Sequence, residues 1–172
     1  MNIRYIVDTL SLSRIIFGIL FAYTVLYLNS DLLVIVIIYF LVVLTDILDG
    51  KIARRYKIDN KNKGAKVDVL SDFVFIILSY FSLCYIKLLP LWFLIIITLK
   101  LIEFFTTSSQ KLEYEKFGTF VSLMFYALPG LIVLLNFFKV PITINLILCI
   151  LITICAIISS TLRIIHKRRN LN

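Results

Sequence analysis

Apolar residues dominate long stretches of this chain, and most of the polar ones gather between them. Six stretches stand out: Leu12–Leu28, Leu32–Asp49 continuing onward as helix, Val67–Ile86, Pro90–Thr106, Thr119–Phe138 and Ile142–Ile164. Each holds seventeen residues or more. A helix crossing the hydrocarbon core of a bilayer needs roughly 20 apolar residues, so each stretch predicts a transmembrane helix. The breaks carry turn-forming or charged residues: Asn29-Ser30-Asp31, the polar stretch Lys51 to Lys66, Pro90, the run Lys111 to Lys116, and Pro141. The expectation is an all-α polytopic membrane protein of six transmembrane helices, forming a single domain over residues 1–172.

Composition supports that class. Hydrophobic residues make up 61% of the 172, against roughly 45–50% in ordinary soluble domains, and mean hydropathy is +1.02. Such a chain has too little polar surface to face water on all sides. Arg4, Asp8 and Arg14 interrupt the N-terminal segment and no small-residue cleavage site follows the apolar stretch, so a retained first helix is expected, not a signal peptide.

The net charge of +8 would suggest a nucleic-acid partner if it formed one soluble patch. Threading six spans with the N-terminus inside instead places sixteen of the eighteen Lys and Arg residues on one side, with only Lys87 and Lys139 opposite. That asymmetry is what the positive-inside rule predicts for cytoplasmic loops. Both termini are then cytoplasmic, and the basic excess faces the anionic inner leaflet. Membrane lipids are the expected partner, and no nucleic acid is.

Cys84, Cys149 and Cys155 are scattered through apolar spans without metal-ligand spacing and read as buried thiols. His166, in a basic tail, is assigned no chemistry. Glu113 and Glu115 read as solvated. Lys100 and Glu103, three apart near the inner end of the fourth helix, read as a local ion pair or an element of an acceptor site.

Four of the ten acidic residues gather at the inner ends of the second and third spans: Asp46 and Asp49 before the basic loop, Asp68 and Asp72 after it. Spacings of three and four put each pair on one face of its helix. Two adjacent antiparallel helices would then aim four carboxylates at one point. Ionisable groups at membrane depth are costly and face a bundle interior or a wet cavity, and four carboxylates together repel one another. Divalent cations are the natural compensation, and hard oxygen ligands with no nearby His or Cys suit Mg²⁺ or Mn²⁺ over zinc. The plainer alternative is that the aspartates cap helix ends and pair with Lys51, Arg54, Arg55 and Lys66. Gly50 and Ala53 lie four and seven positions after Asp46, and Gly64 four before Asp68, which lets a ligand or a neighbouring helix approach closely.

Together these residues spell Asp46-x-x-Asp49-Gly50-x-x-Ala53-Arg54, nine intervening residues, then Gly64-x-x-x-Asp68-x-x-x-Asp72. The pattern resembles the signature of the CDP-alcohol phosphotransferases, the class I CDP-alcohol phosphatidyltransferase family, and the six-helix layout agrees. Near the start, Asp8-Thr9-Leu10-Ser11-Leu12-Ser13-Arg14 is similar to the family's entry segment, with Asp8 where Asn is commoner.

The resemblance implies that the phosphoalcohol group of a CDP-lipid such as CDP-diacylglycerol passes to the hydroxyl of a small alcohol acceptor, releasing CMP. It implies that Asp46, Asp49, Asp68 and Asp72 hold two Mg²⁺ or Mn²⁺ ions, with Asp72 also the catalytic base. Asp46, Asp49, Gly50, Ala53, Arg54, Gly64 and Asp68 would bind the CDP moiety. The enzyme would be an integral cell membrane protein with its active site facing the cytoplasm, and a homodimer.

Acceptor identity is written less plainly. After Asp68 the chain reads Val-Leu-Ser-Asp72-Phe-Val-Phe, which looks slightly more like the serine-transferring branch. Lys116-Phe-Gly118-Thr119 stands where glycerophosphate-transferring members often carry a Gly-Lys motif. Arg54, Arg55, Lys100, Lys116 and Arg163 are candidates to bind a phosphorylated acceptor. Glycerol 3-phosphate is the leading expectation, with serine, inositol phosphate and phosphatidylglycerol as alternatives. An intramembrane prenyltransferase and a cation-pathway protein are the readings from other classes. The Gly and Ala positions argue against the first, and the gathering of the acidic residues at one interface argues against the second.

Overall fold

The computed structural model describes the backbone of residues 3–27, 32–55, 64–107 and 116–169, and the side chains within those segments except 3–8, 53–54, 64–68, 104–107, 116–117, 119 and 164–169. The described residues form six α-helices: α1 Ile3–Tyr27, α2 Leu32–Arg55, α3 Gly64–Tyr85, α4 Leu91–Thr107, α5 Lys116–Phe137 and α6 Ile142–Arg169. Six helices at the expected places bear out the all-α expectation. α1 begins nine residues before the apolar stretch does, so its first turns carry the entry segment as helix. Expectations for Arg4, Asp8, Glu113, Glu115 and His166 lie outside the described side chains.

Four stretches are long and apolar enough to cross a membrane: Thr9–Tyr27, Leu32–Ile52, Phe120–Phe137 and Ile142–Arg163. α3 contributes a shorter apolar length, Val69–Tyr85. Large apolar side chains, among them Ile16, Leu33, Phe40, Leu91, Ile95, Leu123 and Ile157, are exposed on the outward helix faces. Water would make that arrangement unfavourable and lipid makes it favourable, so the chain is built as an integral membrane protein.

The helices fall into two compact units, residues 1–86 and 87–172. In the first, α1 packs against both α2 and α3. Its buried face is Ser11, Arg14, Gly18, Phe21 and Val25, alternating steps of three and four that hold one stripe of a helix. Gly18 marks the closest approach. A Cβ there would stand 3.2 Å from the Phe75 Cα, so α1 and α3 meet backbone to backbone where glycine has no side chain. One turn further on, the rings of Phe21, Tyr39 and Phe75 close a cluster with centroids 6.2–6.3 Å apart, one ring from each helix.

This arrangement corrects one expectation. Among the described residues α2 and α3 are not side by side; α1 is the neighbour each packs on, and they touch chiefly through side chains such as Tyr39 and Phe75. The physical reason lies on α1, which carries both the glycine that admits α3 and a cation that both acidic helices need.

In the second unit, α6 packs on α5 and α4 around Phe93, Ile97, Phe125, Ile132, Cys149 and Ile152, all buried. Cys84 and Cys149 are buried free thiols and Cys155 is half-buried. Lys100 and Glu103 form the expected ion pair at 3.2 Å. Ser160 on α6 joins it, accepting from Lys100 Nζ at 2.7 Å and donating to Glu103 Oε2 at 2.5 Å, which fastens α4 to α6. Asn145 Nδ2 donates to the Leu88 carbonyl oxygen at 3.3 Å and ties α6 to the turn before α4.

α5 ends in a Schellman motif: Val140 N–H donates to Leu135 O and Lys139 N–H to Asn136 O, both at 3.0 Å. Lys139 takes the left-handed position with φ 55°, as Lys87 does after α3 with φ 62°. Proline follows each lysine within three residues and prevents the helix from resuming.

Candidate active site

A single turn of α1 sets the centre of the site. Ser11 and Arg14, three apart, point from the same face toward α2 and α3. The Arg14 side chain is 0% exposed, and a guanidinium in that position must be paired, because it cannot shed its proton. Its partners come from both acidic helices. Nη1 donates to Asp46 Oδ1 at 3.1 Å and to Asp72 Oδ1, and Nη2 donates to Asp49 Oδ2. Ser11 Oγ adds a hydrogen bond of 3.1 Å to the same Asp49 oxygen.

Three of the four signature aspartates therefore meet at one positive charge. Their exposure is graded, with side chains at 5% for Asp49, 27% for Asp72 and 47% for Asp46. Asp49 is the buried floor of the cluster, and Asp46 opens it to the outside. That gradient gives a polar ligand a way in while keeping part of the site out of bulk water, where charge–charge interactions are stronger. Gly50, next to Asp49 on α2, is half-buried. Ala53 and Arg54 lie further along α2, and Gly64 and Asp68 open α3, with side chains outside those described. The contribution of Asp68 to the cluster is thus an expectation from its place one turn before Asp72.

Arg14 and Ser11 are the residues that sequence reasoning passed over as chemistry. Arg14 entered it only as one of many basic residues on the inner side and as part of the entry segment. A signal was present: an arginine inside an apolar run, three residues from a serine and in register with Gly18 and Phe21, marks a buried charge on a packing face. The plainer alternative to metal ions had loop cations pair with the aspartates; of these, Lys51 and Arg55 are exposed, and the cation found among the carboxylates is Arg14 of α1.

Among the described residues, no group of three His, Cys, Asp or Glu side chains is arranged to hold a metal ion. The carboxylates of Asp46, Asp49 and Asp72 fan around the guanidinium, which spaces them. As a donor set they nevertheless suit a hard cation: oxygen atoms only, negatively charged, already directed at one positive centre. Such a set can neutralise and orient an anionic group through a bridging cation, and its more open carboxylates can accept a proton from a hydroxyl brought beside them.

No curated protein and no solved structure matches the chain. The family model for CDP-alcohol phosphatidyltransferase matches residues 4–161, which takes in the entry segment, both acidic helices and nearly all of the second unit. With three of the four signature aspartates gathered at one point of the first unit and that match covering most of the chain, the protein belongs to the CDP-alcohol phosphatidyltransferase family, enzymes that transfer the phosphoalcohol group of a CDP-lipid to an alcohol.

Proposed function

We propose that this enzyme transfers the phosphatidyl group of CDP-diacylglycerol to glycerol 3-phosphate, using two divalent ions held by Asp46, Asp49, Asp68 and Asp72. The meeting of Asp46, Asp49 and Asp72 at one buried centre carries the reading, because no structural need of a helix pair calls for three carboxylates from two helices at one cation. The family mechanism implies a divalent metal, and the all-oxygen donor set favours Mg²⁺ or Mn²⁺. When bound, the ions neutralise the donor pyrophosphate and stabilise charge on the departing CMP.

The chain's own residues supply the rest. Gly50, Ala53 and Gly64 present faces without bulk to the cytidine and pyrophosphate, and Arg54 pairs with phosphate oxygen. The acceptor hydroxyl attacks the phosphorus next to the lipid alcohol, the bond from that phosphorus to CMP breaks, and Asp72 takes the hydroxyl proton. Its intermediate exposure suits that task, since the base must meet an acceptor arriving from water while still lying against Asp46 and Asp49 through Arg14. Holding donor and acceptor in line supplies much of the rate.

The charge asymmetry supports six spans in one membrane domain of residues 1–172 with both termini in the cytoplasm, which opens the site toward that side. CMP then leaves into water, and the diacylglycerol portion never leaves the bilayer. The segment Lys116-Phe-Gly118-Thr119 favours glycerol 3-phosphate over serine, inositol phosphate or phosphatidylglycerol. By family resemblance the working unit is a homodimer.

CMP release from CDP-diacylglycerol by the purified protein in detergent, with Mg²⁺ or Mn²⁺ and each acceptor offered singly, tests both levels of the proposal. Release with glycerol 3-phosphate that disappears in Asp72→Asn is the expected result. Release with a different acceptor would refute the substrate assignment and keep the reaction. An undiminished rate in Asp72→Asn would refute the base.

A further inference from the structure

Arg14 does more in this arrangement than neutralise three neighbours. The oxygen atoms it contacts, Asp46 Oδ1, Asp49 Oδ2 and Asp72 Oδ1, belong to three of the four carboxylates proposed to hold the ions. Each carboxylate has further lone pairs to offer, but a guanidinium and a divalent cation drawn to the same centre repel each other at close range. The closer the cation settles to those oxygens, the more the guanidinium must give way.

The charges define what happens on exchange. Three carboxylates against one guanidinium leave an excess of two negative charges among these four groups, so the cluster attracts a divalent cation even while Arg14 occupies its centre. The side chain has an escape route toward the open side, where Asp46 is 47% exposed, and none toward the floor, where Asp49 is 5% exposed and held by Ser11. Arginine suits this use better than lysine, since its planar fork reaches several carboxylates at once and it never loses its charge.

We propose that Arg14 is an exchangeable internal counter-ion: it holds Asp46, Asp49 and Asp72 together when the site has no metal, and competes with the incoming divalent cation for the same oxygens. The inference rests on the metal-holding role proposed above for these aspartates. Its consequence is that metal affinity is set partly by how firmly Arg14 grips the cluster. Arg14 acts here as a positioning residue, because it touches the ligands and not the reacting atoms.

The test is Mn²⁺ binding to the full-length protein in detergent, followed by electron paramagnetic resonance of the free ion, for the native chain, Arg14→Lys and Arg14→Gln, with thermal unfolding measured with and without Mg²⁺. Removing the charge in Arg14→Gln would tighten binding on electrostatic grounds alone. Arg14→Lys separates the two effects, since it keeps the charge and loses the fork. Competition predicts tighter binding in both variants, about tenfold or more for glutamine and less for lysine. It also predicts melting temperatures that drop without metal and recover with Mg²⁺ by more than the native protein gains.

Lysine binding Mn²⁺ no more tightly than arginine would overturn the proposal. So would failure of both variants to fold even with Mg²⁺ present, since Arg14 would then be indispensable to the fold and not exchangeable. No Mn²⁺ binding by any of the three proteins would refute the metal-holding role itself, a result distinguishable from both.

Discussion

Replacing Gly18 with alanine puts a methyl group 3.2 Å from the Cα of Phe75 and 3.4 Å from a Leu78 methyl. The first contact is with backbone, which cannot rotate away, so α1 and α3 must separate by a few tenths of an ångström. Overpacking of this kind costs about 1–3 kcal/mol, offset by about 1 kcal/mol from the better helix propensity of alanine. The net expectation is a loss of about 1 kcal/mol for Gly18→Ala and about 2–3 kcal/mol for Gly18→Val, whose branched side chain adds bulk with less compensation. Activity should fall as well. Gly18 lies one turn below Arg14 and Phe75 one turn below Asp72, so separation at the glycine moves the Asp72 carboxylate away from the other two. A displacement of about 1 Å can cost a hundredfold in rate, so a few tenths should cost roughly severalfold. Thermal unfolding in detergent reads the first effect and steady-state CMP release the second. Gly118→Ala serves as the stability control, because among the described residues its Cβ meets Ser159 Oγ alone, at an ordinary 3.7 Å, and should raise stability by up to about 1 kcal/mol. Gly18→Ala as stable and as active as the native enzyme would refute the link between this close approach and the site.

Phe75→Ala, at a fully buried ring touching Phe21 and Tyr39, should cost about 3–5 kcal/mol in chemical or thermal unfolding. Ser160→Ala removes the hydroxyl between Lys100 and Glu103 and should cost about 1.5–3 kcal/mol, the range for hydrogen bonds to charged groups, measured the same way. Lys139→Gly relieves a non-glycine residue at φ 55° and should stabilise by about 1 kcal/mol, read as a rise in melting temperature. Treatment with EDTA should abolish CMP release, and added Mg²⁺ or Mn²⁺ should restore it; activity persisting in excess chelator would refute the metal assignment.

The number and placement of the helices were legible in the sequence because apolar length and turn-forming breaks act locally. The ends of α2 and α3 were legible for the same reason, and so was the pairing of Lys100 with Glu103, three positions apart on one helix. The packing order was not. That α1 stands against both α2 and α3 depends on Gly18 meeting Phe75, two residues 57 positions apart, and no local pattern encodes such a meeting. The aspartates announced themselves by spacing on two helices, whereas Arg14 was hidden among basic residues whose distribution reports topology. Its role became visible only through contacts with residues 32, 35 and 58 positions further along.

That separation has a consequence for how the protein is made. α1 precedes both of its partners in the chain, so when it leaves the ribosome Arg14 has no carboxylate to meet. An unpaired arginine in a membrane helix costs at most roughly 2.5–3.5 kcal/mol on insertion scales, the value at the helix centre; Arg14 lies nearer the N-terminal end of its span, and the surrounding stretch carries Ser11, Ser13 and Gly18 in place of more strongly apolar residues. The first helix therefore gains its settled place only when α2 delivers Asp46 and Asp49 and α3 delivers Asp72. Biogenesis of this unit is a joint event of three helices, and a nascent chain stopped after α1 should enter the bilayer less completely than one carried through α3.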